Sequence, residues 1–202
     1  MLRIFLTVSV LFWNQLAAQN ATDEVFDLCD EVHCLKPVFI IKGENYDVMK
    51  FQTHQWIQTE VYGMDMESAL EIGLEKLFNY ARLSNSAGTI VPISAPWGVL
   101  GTLENGEIQE IFIIFLLLLP EIDVVPEPID EALQVGNAPD KWFYVRAFDE
   151  EADEDEIENR VAQFQQDLEE DNQSFGEVFR IAWYDTRGLM FILFERTEEA
   201  EN

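Results

Sequence analysis

Basic residues are scarce in this sequence. Only 12 of its 202 residues are Lys or Arg, against 39 Asp or Glu, and the formal net charge at pH 7 is −27. A surface that binds nucleic acid needs basic side chains to displace the counterions of the phosphates. Anionic membranes attract proteins through similar basic clusters. We therefore expect neither nucleic acid nor a membrane as a partner, and the acidic surface favours solubility.

Long apolar stretches are lacking after the first residues. The longest, Ile111–Leu119, is too short to cross a bilayer as a helix and predicts a buried strand. At the beginning of the chain, however, Arg3 is followed by an apolar stretch from Ile4 to Trp13 and then by Ala17 and Ala18. This pattern is typical of a secretory signal peptide rather than of a membrane anchor. We expect cleavage after Ala18, which removes residues 1–18, and a secreted, extracellular protein.

Cysteine and histidine are nearly absent, with two residues of each. Cys29 and Cys34 lie near the expected new N-terminus, and two nearby cysteines in an exported chain usually pair. We therefore predict a Cys29–Cys34 disulfide in an N-terminal arm, residues 19–44. A zinc site that adds His33 would lack a distant fourth ligand, and the C-x4-C spacing differs from the C-x2-C of redox sites.

Two Asn-X-Ser/Thr sequons lie in the expected secreted chain, at Asn20 and Asn172. Such sequons are glycosylation acceptors on the surface of secreted eukaryotic proteins. Both asparagines are therefore glycosylation candidates if the chain passes through a eukaryotic secretory pathway.

Motifs of catalysis are lacking as well. The sequence has no nucleophile elbow, no phosphate-binding glycine loop and no spaced set of His and acidic residues for a metal. Carboxylates are so frequent that no single pair stands out as acid and base. The acidic run 149–156 could gather around calcium, but it lacks the central Gly and the terminal bidentate Glu of an EF-hand loop. It suits the start of a helix. We expect a non-enzymatic protein.

The regular pattern in this chain is a duplication. Apolar periodicity predicts strand, helix, strand, strand, then a long Pro-rich connection without regular structure, and then the same four elements again. Two such halves can join their sheets and bury both helices, which favours a single α+β domain with a groove between helix and sheet. In chain order, the predicted elements are a strand within 46–61, a helix over 66–82, strands near 89–101 and 108–119 with a turn at Asn105-Gly106, a strand over 141–148, a helix around 157–168, and strands over 178–183 and 189–194.

Several segments, by their order and spacing, resemble the SOUL haem-binding protein family over about residues 45–196. Cys29 and Cys34 with Pro37 also resemble the N-terminal arm of its secreted members, and residues 197–202 remain as an acidic C-terminal tail. The segments are Tyr46-Asp47-Val48 followed by Trp56-Ile57-Gln58-Thr59, then Ile93-Ser94-Ala95-Pro96, Pro126-Glu127-Pro128, and Tyr144-Val145-Arg146-Ala147-Phe148-Asp149.

The resemblance implies a fold and a ligand. Pseudo-duplicated strand-helix-strand-strand halves would form a distorted antiparallel β-barrel with two long helices. Haem or a related tetrapyrrole would lie in a shallow apolar groove along the first helix. By position, the cofactor-binding residues would be Met66, Leu70, Leu74 and Phe78, with Lys50 and His54 as the polar candidates.

The sequence departs from the family pattern at basic positions. Glu71 stands where some members have an Arg that can meet a propionate, and Lys50 stands where some have a His suggested as an iron ligand. The only imidazole embedded in the predicted domain is that of His54. We therefore expect a secreted haem or tetrapyrrole carrier or scavenger. The alternative is an acidic extracellular scaffold that binds calcium or basic partners and has lost the haem.

Overall fold

The fold was analysed in a computed structural model of the chain. The structure describes residues 22–23, 25, 27–29, 33–104, 107–148, 152–185 and 188–197. The predicted signal peptide, the sequon at Asn20, the turn at Asn105-Gly106 and nearly all of the acidic tail lie outside these residues. No helix within the described ranges is long and apolar enough to span a bilayer.

The described chain contains one large antiparallel sheet and two long helices. The described residues between 22 and 29 are also helical and form α1. The later elements are β1 (Phe39–Ile41), β2 (Asp47–Phe51), β3 (His54–Tyr62), α2 (Met66–Arg82), β4 (Ile93–Glu104), β5 (Glu107–Ile108), β6 (Ile111–Leu118), β7 (Leu133–Ala138), β8 (Lys141–Phe148), α3 (Glu154–Glu170), β9 (Phe175–Trp183) and β10 (Met190–Arg196).

The predicted α+β duplication is visible in the order of the strands. The sheet runs β1-β2-β8-β10-β9-β4-β6-β3-β7, with β5 paired to β4 alone. One half is β3-α2-β4-β6 and the other is β8-α3-β9-β10. In each half the last strand lies between the other two, and β4 pairs with β9 where the halves meet. We call this β4–β9 pairing the seam.

The sheet is not closed, so the predicted β-barrel is not confirmed. β2 pairs with β8 along one edge and with β1 along the other, which leaves it no free edge for β7. The two ends of the sheet are instead joined by the short β2–β3 and β7–β8 connections. There Asp140 accepts a hydrogen bond from the backbone N–H of Thr53 (2.8 Å) and forms an ion pair with Lys50 (3.1 Å).

Both faces of the sheet are buried. The helix face packs against the buried side chains of α2 and α3, such as Leu77 and Phe164. The other face, which we call the inner face, has a second core that contains Phe115, Phe191 and Val25 of the N-terminal part. Because burial on both faces removes the need for polar alternation, β6 and β10 are almost continuously apolar.

The N-terminal arm covers part of the inner face. Cys29 and Cys34 are paired in the structure, with their Cα atoms 5.3 Å apart. A bulge between Ser94 and Trp97 takes Ala95 out of the β4–β6 ladder. The freed Ala95 carbonyl accepts a hydrogen bond from the backbone of Leu35 at 2.8 Å. The arm is therefore attached to the sheet at the Ile93–Pro96 segment that the sequence had singled out.

Two strands were not expected from the sequence. β7 lies in the connection that was predicted to be irregular, and pairs with the outer edge of β3. Its residues Gln134, Val135 and Asn137 are exposed, so it has no apolar alternation to reveal it. β1 lies in the arm and has only three residues. The first predicted strand is also divided, since residues 52 and 53 separate β2 from β3.

The seam requires close contact between backbones, which predicts a sensitive position. A Cβ atom at Gly98 would overlap the carbonyl oxygen of Ile181 across the seam. We expect Gly98→Ala to lower the free energy of unfolding by about 2 kcal/mol or more, because neither backbone can move without breaking the ladder. Urea unfolding followed by tryptophan fluorescence measures this change.

Gly176→Ala is the matched control. Gly176 also lies in β9, but a Cβ there would meet no atom within 4 Å. This change should leave stability unchanged or raise it by about 0.5 kcal/mol. Equal destabilisation by both substitutions would show that strand propensity, and not the seam contact, is responsible.

Candidate functional site

An apolar row on one side of α2 is the candidate site. Leu70, Leu74 and Phe78 recur every four residues and therefore lie on one side of the helix. Each is half-buried and packs against the helix-face core. We call these three residues the α2 flank. Met66, in contrast, belongs to the buried side of α2 with Ala69, Gly73 and Leu77.

The handedness of the crossover predicts where the α2 flank faces. β3 and β4 run parallel on either side of β6, and α2 connects them. Crossovers of this kind are right-handed in nearly all proteins. With this handedness, residues that follow the buried side of a right-handed helix turn toward the second strand, here β4. We therefore expect the α2 flank on the side of the seam, where Trp97 and Trp183 stack with ring centroids 4.9 Å apart.

The start of α2 is closed by carboxylates. Asp65 is the N-cap and accepts a hydrogen bond from the backbone of Ser68 at 2.7 Å. Glu154, at the start of α3, accepts from the backbone N–H groups of Met66 (2.6 Å) and Glu67 (3.3 Å). The beginnings of the two helices thus meet, and the N–H groups that could bind a ligand anion already have partners.

His54 lies on the other face of the sheet. Side chains alternate along β3, and Ile57 and Val61 belong to the helix-face core. His54 and Trp56 have the opposite parity, and their rings lie 5.6 Å apart with Trp56 against the inner-face core. The structure therefore does not bring His54 to the α2 flank.

The surroundings of His54 oppose its protonation. Burial lowers its pKa from the ordinary 6.5, and the charge of Arg180 lowers it further, although the hydrogen bond to Gln52 acts in the other direction. Nδ1 donates to the Gln52 carbonyl oxygen at 2.8 Å, because a carbonyl can only accept. Burial and the charge of Arg180 thus favour the neutral form of the His54 imidazole on the inner face.

Lys50 forms an ion pair with the β7–β8 connection. Its Nζ lies 3.1 Å from a carboxylate oxygen of Asp140. Its neighbours in β2, Met49 and Phe51, belong to the inner-face core, so Lys50 lies on the helix face, opposite to His54, and it is not part of the row on α2. Of the six residues predicted to bind the cofactor, the structure brings together Leu70, Leu74 and Phe78, with Met66 beneath them in the core.

A charged group on the inner face was missed by sequence reasoning. The guanidinium of Arg180 lies 4.9 Å from the centroid of the Phe143 ring and donates to Glu195 at 3.2 Å. Glu195 also pairs with Lys141. A single Arg in the apolar run of β9 was the available signal, because such residues are rarely buried without a partner.

The described residues also contain a cavity, and their acidic residues are not placed to hold a metal ion. A cavity of about 200 Å³ lies at the β3–β7 edge, lined by residues such as Gln58, Tyr62 and Glu131. It is smaller than usual ligand pockets. Within the described ranges, no three His, Cys, Asp or Glu residues are placed to hold a metal ion.

Asn172, the second sequon, is exposed just after α3.

Comparisons with known proteins agree on the fold. The SOUL heme-binding protein family model matches residues 33–200. Human heme-binding protein 2 is 23% identical over 145 residues, which cover 70% of this chain and 71% of that protein.

Solved structures with this fold include the EcmrR C-terminal domain. Its crystal structure has a TM-score of 0.57 and 9% identity, and the match covers 76% of this chain and 96% of that one. The cryo-EM structure of EcmrR with DNA has a TM-score of 0.57 and 8% identity, with 98% of this chain and 70% of that one covered. At such low identity, these two likenesses show the fold alone.

The environment of His54 predicts a pH-dependent stability. The folded-state pKa lies below the unfolded value, so the stability due to neutral His54 is complete above about pH 6.5 and is lost as the pH falls toward the folded pKa. We expect wild type to lose more free energy of unfolding than His54→Gln between about pH 7.5 and about pH 5. Urea unfolding at both pH values measures the difference, and equal losses would contradict the prediction.

Proposed function

This chain belongs to the SOUL heme-binding protein family, and from that premise we propose that it is a secreted, non-enzymatic carrier or scavenger of haem or a related tetrapyrrole. The resemblance inferred from the short sequence segments is thereby confirmed at the level of the family. The ligand would lie with one face of its macrocycle on the α2 flank.

The observation that carries the proposal is the half-exposed apolar row. Leu70, Leu74 and Phe78 are packed against the core on one side and accessible on the other. Covering apolar surface of this kind contributes about 25 cal/mol for each Å² removed from water. A row two helical turns long therefore suits one face of a flat macrocycle, and a bound tetrapyrrole would supply that face.

The residues of the proposed site favour contact with the macrocycle over ligation of the iron. His54 lies on the inner face, and Met66 is 1% exposed beneath the helix. Neither can reach a macrocycle on the α2 flank without rearrangement of the sheet or helix. The sequence holds only one other histidine, His33, in the N-terminal arm. The proposed binding mode is therefore contact with the macrocycle, without an axial ligand from these residues.

A hemin titration tests the binding mode. We expect Leu74→Asp to weaken hemin binding by about tenfold or more, because it places a carboxylate in the middle of the apolar contact. His54→Ala should bind as wild type does, since His54 lies on the other face. Quenching of tryptophan fluorescence and the Soret band both measure binding.

Ile72→Asp is the matched control on the same helix. Ile72 is 40% exposed and lies two residues from Leu74, on a different side of α2. It introduces the same charge and should leave hemin binding nearly unchanged. Absence of hemin binding by wild type, or equal loss in both aspartate variants, would contradict the proposed site. Loss in His54→Ala would instead indicate ligation on the inner face.

Secretion is a separate part of the proposal. It is supported by the leader-like residues 1–18 and by the Cys29–Cys34 pair, since disulfides persist in oxidising compartments. Expression of the full chain in eukaryotic cells should release a protein that begins at Gln19 and loses mass on treatment with a glycosidase. Mass spectrometry of the medium and of the cell pellet measures this. Retention of an intact N-terminus inside the cell would contradict it.

A further inference from the structure

A row of glutamates runs beside the α2 flank. Glu67, Glu71 and Glu75 each precede a residue of the flank by three positions, and residues three apart on a helix are neighbours. All three are exposed. The apolar row is therefore bordered on its solvent side by a parallel row of carboxylates.

The junction of the two helices adds further negative charge. Glu154 binds the N–H groups at the start of α2, where the helix dipole would otherwise favour an anion. Glu158 lies one turn later on α3. Its pKa is raised by burial first, and then by repulsion from Glu154 and Asp155. Carboxylates at this end of α2 are therefore close enough to repel one another.

Among the described residues, the basic groups of α2 lie away from the flank or at its end, and Arg160 of α3 pairs with Glu156. Lys76 lies on the opposite side of α2, and Arg82 occurs only in its last turn. Lys50 is engaged by Asp140, and Arg146 donates to Asp167 at 2.6 Å. The two propionates of haem would thus meet repulsion along most of the flank.

We propose that the α2 flank selects flat aromatic cations over anions, so that a cationic tetrapyrrole binds it more tightly than haem does. The inference rests on the proposed function, because it concerns the same flank, and adds the charge of the preferred ligand. The macrocycle would contact Leu70, Leu74 and Phe78, while cationic groups at its edge would lie beside Glu67, Glu71 and Glu75.

Two metal-free porphyrins of opposite charge provide the test. Tetra(N-methylpyridyl)porphyrin is cationic and tetra(sulfonatophenyl)porphyrin is anionic, and both have the same macrocycle. We expect the cationic porphyrin to bind the mature protein, residues 19–202, at least tenfold more tightly than either the anionic porphyrin or hemin. Fluorescence quenching at about 0.15 M salt measures all three affinities, with screening of distant charges.

Charge-matched variants separate the flank from the general acidity of the protein. The site variant Glu67→Gln, Glu71→Gln, Glu75→Gln should weaken the cationic porphyrin about tenfold, because each exposed charge pair changes an equilibrium about two- to fivefold. The control variant removes the same charge at exposed positions of the long connection and the end of α3: Glu121→Gln, Glu131→Gln and Glu170→Gln. It should retain nearly all of the affinity.

The outcomes distinguish this inference from the proposed function. Tighter binding of the cation, lost in the site variant but kept in the control variant, supports both. Tighter binding of hemin, still lost in Leu74→Asp, overturns the charge preference and leaves the proposed function standing. Equal weakening by the site and control variants overturns it as well, since the attraction would then be unspecific. Binding of none of the three ligands contradicts the proposed function itself.

Discussion

The structure depends on the pairing of β4 with β9. Each half of the duplicated chain has a helix and three strands, and a half alone would leave an apolar sheet edge and much of one face in water. The seam joins the halves into one sheet, with Gly98 against the Ile181 carbonyl and Trp97 stacked on Trp183. Because both helices then lie on the same face, the start of α3 reaches that of α2. The contact between Glu154 and Met66 is thus a consequence of the seam.

A second constraint comes from the inner face. A sheet with two apolar faces must cover the one that its helices do not reach, and here the N-terminal arm packs on that face. The same arm contributes β1, which pairs with the outer edge of β2. β2 therefore has a partner on each edge, and the sheet is open at this end. The pairing of β1 with β2 is a contact that no local pattern of residues expresses.

Much of the fold could be predicted because the helices and central strands have strong local signals. The periodicity from Met66 and the N-cap at Asp65 fix α2, and the apolar run of β6 fixes a buried strand. The face on which His54 lies could also be predicted, because His54 and Ile57 are three residues apart in β3 and alternation places them on opposite faces. The sequence does not reveal which face of the sheet α2 covers, because both faces are apolar. The predicted site therefore combined residues from opposite faces. β7 was missed because its stability comes from pairing with β3, and Arg180 because its partner Glu195 is on another strand.

The separation of packing from recognition on α2 explains how family membership and ligand preference can diverge. Ala69, Gly73 and Leu77 hold the helix on the sheet, and a Cβ atom at Gly73 would already overlap the side chain of Ile114. A larger residue at Gly73 would therefore disturb the packing of α2 on β6. Glu71 is exposed on a different side, so a basic or an acidic residue serves equally well for packing. The charge beside the α2 flank can therefore reverse while the fold is kept, and the ligand must be inferred from the flank itself.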